Sequence, residues 1–152
     1  MKKLHYLFLW LGLVGCDVNE KDESSVNKIN HHNGLAAEAD FEYTSIEKID
    51  NGFVFHRNPE DSSRQTDSIT LELLKAYDIS NTETRTIGAV TYQFHLDTFH
   101  GGSGGAEYTL RIWKPLDGSG VALEHYVQSE HDPDFAESWK LIESASVQFE
   151  KD

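Results

Sequence analysis

The chain has 152 residues, of which 26 are aspartate or glutamate and 13 are lysine or arginine, so its formal net charge is −13 at pH 7. A negative field of this size repels nucleic acid and anionic lipid headgroups, and it speeds association with cationic partners. The chain has a single cysteine, which excludes a disulfide within it, so the fold depends on a buried apolar core.

The first residues have the layout of a secretory signal peptide. Lys2 and Lys3 precede an apolar run over residues 4–14. The run is well short of the roughly 20 apolar residues that a membrane-spanning helix needs. We therefore predict a cleaved signal peptide over residues 1–15, whose removal takes away two lysines and makes the mature chain more acidic still.

The end of this segment resembles the lipobox of bacterial lipoproteins. It reads Leu13, Val14, Gly15, Cys16, and in lipoproteins the cysteine receives a diacylglyceryl group before signal peptidase cuts in front of it. The resemblance implies a lipid anchor at Cys16 and a location outside the cytoplasm. Acyl chains contribute about 0.8 kcal/mol per buried CH₂, so two or more chains make a lasting anchor. Asp17 resembles the signal that retains some Gram-negative lipoproteins in the inner membrane.

The residues after the cysteine are polar and contain few large apolar side chains. Such a segment buries too little surface to offset the entropy lost on ordering. We predict that residues 16–39 form a lipidated, flexible tether and that residues 40–152 form a single domain. His31 and His32 lie in this tether without a third ligand at a fixed distance, which favours solvated side chains over a metal site.

From residue 41 onward apolar and polar residues alternate, which is typical of antiparallel strands with one dry face. Strands are predicted over residues 41–49 and 53–57. Asp50, Asn51 and Gly52 form the turn between them, since asparagine and glycine tolerate a positive φ. Further strands are predicted in segments 69–77, 91–97, 108–113 and 121–127, with a turn in PLDGSG before the last.

The segment after His131 is predicted to begin a helix. Asp132 or Asp134 is a candidate N-cap, Pro133 suits the first turn, and Glu137 occupies the capping-box position relative to Asp134.

One side of this helix is apolar. Phe135, Trp139 and Ile142 are spaced by four and three residues, which places them on the same side. We expect the helix to lie across the sheet, with Val147 and Phe149 closing the core. The predicted fold class is therefore α+β: an antiparallel β-sheet covered by at least one helix, including a C-terminal helix.

Four glycines surround Ser103 between two predicted strands, in the segment HGGSGGAEY. A phosphate-binding P-loop is excluded because no lysine lies between Lys75 and Lys114. A dinucleotide fingerprint that began at Gly102 would need a third glycine where Glu107 stands. We interpret the segment as a hairpin tip, in which glycine lets the backbone approach a partner closely.

No pattern indicates a catalytic or metal centre, and we predict a protein that is not an enzyme and carries no cofactor. Ser103 has no base at a recognisable spacing, and no carboxylate pair stands out for glycoside hydrolysis. His95, His100, His125 and His131 lack the spacing of known zinc ligands. His125 falls on an apolar face, where a neutral, hydrogen-bonded histidine is the common outcome. Calcium stays open as an alternative, because DPD and LDGSG offer oxygen ligands.

Several segments together with the lipobox resemble the small lipoprotein immunity proteins that bacteria with a type VI secretion system keep in their periplasm. They are GGSGGAEYTLRIWKP, the turn DGSG with the strand after it, and FAESWKLIESASVQFE. In that family the protein binds a toxic effector that degrades peptidoglycan and blocks its active-site groove. The C-terminal segment also resembles the α+β fold of PsbP-like proteins. The resemblance implies effector contacts at His100, Gly101, Gly102, Ser103, Gly104, Gly105 and Glu107.

We therefore expect a membrane-anchored periplasmic protein that blocks a cationic cell-wall-degrading effector. One alternative is a periplasmic lysozyme inhibitor, whose Ser-Gly-x-x-Tyr loop is similar to Ser103, Gly104 and Tyr108 with one extra residue. Another is an envelope lipoprotein that binds calcium or a cationic ligand.

Overall fold

The computed structural model describes residues 28–57, 66–101 and 105–148. The predicted signal peptide, Cys16, the residues Gly102, Ser103 and Gly104, and Phe149 lie outside these ranges. Within the ranges, no helix is long and apolar enough to cross a membrane.

The described residues form ten strands and one helix. These are β1 (Lys28–His32), β2 (Leu35–Ala39), β3 (Ser45–Ile49), β4 (Gly52–Arg57), β5 (Asp67–Leu74), β6 (Glu83–Ile87), β7 (Val90–His100), β8 (Ala106–Leu116), β9 (Ser119–Ser129), α1 (Ala136–Ser144) and β10 (Ser146–Val147). Strands β3 to β9 form one sheet in the order β3-β4-β5-β9-β8-β7-β6, and the second sheet has the order β1-β2-β10. The pairs are antiparallel. The α+β layout with an antiparallel sheet and a C-terminal helix is therefore confirmed.

The β3–β4 hairpin turns where the sequence predicts it, but for a different reason. Ile49 pairs with Gly52, so Asp50 and Asn51 form the turn. Neither Asn51 nor Gly52 has a positive φ. A Cβ at position 52 would lie 1.8 Å from the carbonyl oxygen of Leu71, so glycine is required there by the close approach of β5.

Strand β6 is an addition to the predicted strands. Its sequence ETRTI contains one apolar residue, so no alternation of apolar and polar residues indicates a strand there.

The β8–β9 turn at Asp117 and Gly118 is confirmed, since Leu116 pairs with Ser119 and Gly118 has a φ of 71°.

The prediction of a flexible tether up to residue 39 is wrong for residues 28–39, which form β1 and β2; residues 16–27 lie outside the described ranges. Leu35, Ala37 and Ala39 are almost fully buried. Alanine side chains are too small to produce the apolar pattern typical of a buried strand. Their small size lets β2 pack closely against α1 in the core. His32 is fixed as well, because its Nε2 donates a 2.8 Å hydrogen bond to the carbonyl of Ile49.

Helix α1 begins directly after Phe135, which occupies the N-cap position without a side-chain cap bond. The prediction of Asp132 or Asp134 as N-cap is therefore wrong. The Asp134 carboxylate still accepts a 2.9 Å hydrogen bond from the N–H of the first helical residue. Glu137 forms an ion pair with Arg57 across 2.7 Å instead of closing a capping box.

The apolar side of α1 contacts the sheets as its spacing predicts. Ile142 and its neighbour Leu141 are buried in the same cluster as the apolar residues of β4, β5, β8 and β9. The Trp139 ring meets the rings of Tyr92 and Phe94 edge-on, with centroids 5.9 and 5.3 Å away. How far the helix covers the sheet stays a prediction.

Candidate functional site

The β7–β8 hairpin ends in the glycine loop. His100 pairs with Ala106, so residues 101–105 join the two strands. Gly101 is exposed. Gly105 has a φ of 93°, a left-handed conformation that glycine adopts readily. The hairpin tip is therefore confirmed, and its role in binding stays a prediction.

The half of β7 next to this tip is a sheet edge. The last β6–β7 pair joins Glu83 to Phe94, so residues 95–100 have β8 on one side and no described strand on the other. From Leu96 onward each residue of the strand is exposed. Leu96 and Phe99 are the exposed large apolar side chains among the described residues, at 43% and 66% exposure. The two side chains are three residues apart on one strand, so this edge exposes an apolar side chain on each face of the sheet.

The side chains of the hairpin alternate between the two faces of the sheet. Leu96, Thr98 and His100 lie on one face. Phe99 lies on the other face, directly opposite Glu107 on the neighbouring strand. Two of the predicted contact residues, His100 and Glu107, thus belong to the same hairpin end but face opposite directions.

A surface groove of about 410 Å³ opens on the face that carries His100. It is lined by Leu96, Thr98, His100, Tyr108, Asp132, Pro133 and Phe135. The Tyr108 hydroxyl donates a 2.8 Å hydrogen bond to Oδ1 of Asp132. That hydrogen bond, with a smaller contribution from burial, raises the pKa of Tyr108. Because neither lysine nor arginine is among the described lining residues, the groove combines apolar walls with a negative charge.

The opposite face of the hairpin carries a charge cluster around Arg111. Its Nε donates a 2.8 Å hydrogen bond to Glu124, and its Nη1 donates to Asp97. Asp97 also contacts Nε2 of His95 at 3.0 Å. Burial works against the charged form, but the hydrogen bond and charge of Glu124, the hydrogen bond to Asp97 and the nearby Tyr77 together raise the pKa of Arg111. One guanidinium is paired with two carboxylates here, so the cluster keeps a net negative charge.

A serine, a histidine and an aspartate meet beneath α1. His125 Nδ1 lies 2.6 Å from the hydroxyl of Ser138, and its Nε2 lies 2.8 Å from Asp67. Ser138 is 0% exposed and His125 is 1% exposed. The hydroxyl is sealed from any substrate in solution, so the geometry links α1 to the sheet instead of presenting a nucleophile. The predicted hydrogen-bonded state of His125 is confirmed; its two partners lie too far away in the sequence to be foreseen.

The structure does not bring together the four histidines that the sequence analysis weighed as zinc ligands. His125 is buried, whereas His95 lies on the opposite sheet face and His100 and His131 are exposed. In residues 28–57, 66–101 and 105–148, no group of three or more histidine, cysteine, aspartate or glutamate residues is placed to hold a metal ion.

Comparisons with known proteins bear on the described fold and on the family. A solved structure from Bacteroides thetaiotaomicron VPI-5482 superposes with a TM-score of 0.54 at 11% sequence identity, over 77% of this chain and 46% of that one. At this identity the likeness concerns the fold alone, and this chain matches less than half of that protein. No curated protein matches the sequence. A family model described as type six secretion immunity 3 domain matches residues 42–146, which include the hairpin, the groove and α1.

Proposed function

Because the chain belongs to the type six secretion immunity 3 family, we propose that it is a membrane-anchored periplasmic protein that binds and blocks a toxic cell-wall-degrading effector. The family makes it a type VI secretion immunity protein whose partner is an effector protein. The anchor, the compartment and the class of effector are the proposed parts, as is the absence of catalytic activity in this chain.

The binding site that we propose is the end of the β7–β8 hairpin. The observation that carries it is the exposure of Phe99 and Leu96 at one sheet edge beside a glycine tip. Aromatic side chains supply a large share of the energy at protein interfaces when a partner covers them. The glycines at positions 101, 102, 104 and 105 let this tip enter a narrow cleft, because four of its five residues have no side chain beyond the backbone.

The charge of the chain supports a cationic effector. Its net charge is −13, and Asp132, Glu107 and Glu130 surround the hairpin end. Complementary charge raises the association rate and disfavours acidic partners. An enzyme that acts on the anionic cell wall is a partner of the required sign.

A protection assay tests the proposed function. We expect a secreted hydrolase to be encoded beside this gene, and the assay directs that hydrolase to the periplasm of a heterologous host, with and without this chain. We expect lysis without the chain and survival with it. Deleting residues 101–105 should remove protection, whereas Thr86→Ala, opposite Thr91 at the end of β7 away from the tip, should retain it. Lysis in the presence of the intact chain would refute the inhibitor role, and protection by the deletion variant would refute the role of the tip.

The anchor is tested at the cysteine. We expect Cys16→Ser to prevent acylation and the cleavage that follows it, so the variant should accumulate as the longer precursor that keeps its signal peptide. Metabolic labelling with a palmitate analogue should mark the unchanged chain and leave the variant unlabelled. A variant that is cleaved to the same mature length as the unchanged chain would count against the lipoprotein assignment.

A further inference from the structure

We propose that the outer half of β7, residues 95–100, is where an extended segment of the effector adds to the main sheet as a further strand. The inference rests on the proposed function, because it assigns the partner's backbone to a particular place on this chain. It differs from insertion of the tip, since here the partner enters a site on the immunity protein.

The backbone at this edge is available for pairing. Strand β6 pairs with β7 as far as Phe94, and over the next six residues no described strand lies on that side. At about 3.3 Å per residue this leaves an edge about 20 Å long. An unpaired edge presents a row of N–H and C=O groups that another strand can satisfy.

The edge has few of the features that usually prevent such pairing, and its one acidic side chain, Asp97, is already ion-paired with Arg111. In native proteins, charged side chains, prolines or bulges usually protect an edge strand from pairing with another chain. The opposite edge of the sheet follows that rule, because β3 exposes Glu47 and Lys48. Residues 95–100 contain neither lysine nor proline, and instead expose Leu96 and Phe99. The sheet is therefore protected at one edge and open at the other.

The groove beside the edge would select the side chains of the added strand. In strand addition, main-chain hydrogen bonds supply affinity, and pockets for alternate side chains supply specificity. Leu96, Thr98 and His100 of the edge also line the groove. Alternate side chains of an incoming strand would therefore point into the groove, while those between them would lie beside Phe99 on the other face.

The lining of the groove favours an incoming segment that carries both apolar and basic residues. The groove offers the apolar surface of Phe135 and the carboxylate of Asp132, and no described lysine or arginine lines it. A second copy of this chain fits poorly, because two chains with a net charge of −13 each repel one another, and edge-to-edge pairing would bring their Asp97 side chains together. A cationic effector has the complementary charge.

Hydrogen exchange tests strand addition directly. The full chain is compared free and in complex with the hydrolase that we expect to be encoded beside its gene, purified in an inactive form. We expect amides within 95–100 that exchange rapidly in the free chain to slow by about tenfold or more in the complex, since inter-strand hydrogen bonds protect them. Unchanged exchange there in a stable complex overturns the inference and leaves the proposed function intact. Protection already present in the free chain also overturns it, because the edge would then be covered by this chain itself.

A matched pair of variants tests the chemistry of the segment. Thr98 is exposed and lines the groove, so Thr98→Lys and Thr98→Glu differ mainly in the sign of the added charge. For a basic segment we expect Thr98→Lys to raise the Kd about tenfold or more while Thr98→Glu leaves it within about threefold. If both variants changed the Kd by the same factor, or if neither changed it, the proposal of a basic segment would be overturned. Failure of the unchanged chain to bind the hydrolase at all would refute the proposed function together with this inference. Unfolding midpoints matching that of the unchanged chain verify that both variants fold.

Discussion

At the scale of single residues, Lys114 shows how the sheet receives the end of the helix. The last carbonyls of a helix have no partner within it, and α1 has no basic residue in its last turn. The buried ammonium of Lys114 donates to the carbonyls of Ile142, Glu143 and Ala145 at 3.2, 2.8 and 2.6 Å. Burial lowers the pKa of Lys114, although the charge of Glu143 opposes this effect.

We predict that Lys114→Met lowers the free energy of unfolding by about 2–3 kcal/mol, because hydrogen bonds to a charged donor are lost and the carbonyls stay buried. Urea denaturation followed by circular dichroism measures the loss. Lys140→Met is the matched control, since that lysine is exposed and contacts Asp40 at 3.4 Å; it should cost at most about 0.5 kcal/mol. Equal losses in the two variants would show that Lys114 does not hold the helix end.

The Tyr108 hydroxyl reports on the groove through its ionisation. Its pKa is raised by the hydrogen bond to Asp132 and by burial. Asp132→Asn keeps an acceptor but removes the charge that disfavours the phenolate, so we predict a lower pKa for Tyr108 in the variant. Spectrophotometric or NMR titration measures it. The pKa of Tyr126, which is raised by burial and by Glu107, should not change, and a Tyr108 pKa equal to that of the unchanged chain would contradict the assigned contact.

At the scale of elements, the strands that the sequence predicts are those with bulky residues on one face. Ile69 and Leu71 of β5 alternate with polar residues, and both are fully buried, so their period of two is visible. Strand β2 buries alanines beside Leu35, and β6 places one apolar residue among polar ones, so neither shows this contrast. The helix starts later than the sequence predicts. Asp134 does accept a hydrogen bond from the first helical N–H, but it lies one residue before the N-cap position.

Close approach between strands makes one glycine indispensable. A Cβ at Gly52 would lie 1.8 Å from a backbone oxygen of β5, whereas at Gly88, with a φ of +59°, a Cβ meets no atom within 4 Å. We predict that Gly52→Ala destabilises by about 3 kcal/mol, because the backbone of β5 must shift. Gly88→Ala should cost only about 1 kcal/mol for its left-handed conformation. Denaturation midpoints compare them, and a Gly88 variant as damaged as the Gly52 variant would contradict this account.

At the scale of the whole molecule, the sequence located the hairpin tip but not the surface around it. The glycines around position 103 and the alternation on either side are local, so they could be recognised. The groove exists because Asp132 and Phe135 arrive from the chain after β9, and the open edge exists because β6 pairs with β7 only as far as Phe94. Both features depend on tertiary structure, so no local sequence pattern could predict them.

The structure and the sequence analysis disagree most about where the folded domain begins. Truncated chains test where this boundary lies. The core cluster reaches back to Leu35, Ala37 and Ala39, and Leu35 pairs with Val147 of β10. We predict that residues 28–152 unfold at the same urea midpoint as a soluble chain that begins at residue 17. A chain of residues 40–152 should lose at least about 3 kcal/mol, because burial of a leucine side chain alone contributes about 1.5–3 kcal/mol.

A point variant separates the loss of β2 packing from the shortening of the chain. We expect Leu35→Ala in the full-length soluble protein to cost about 2–5 kcal/mol, the range for truncating a buried leucine, whereas His31→Ala on the exposed side of β1 should leave the unfolding midpoint unchanged within error. If residues 40–152 alone were as stable as the longer chains, β1 and β2 would be dispensable and the tether would extend to residue 39. If Leu35→Ala and the truncation are both destabilising, the folded unit begins before Leu35, and the anchor and the domain are separated by a correspondingly shorter segment.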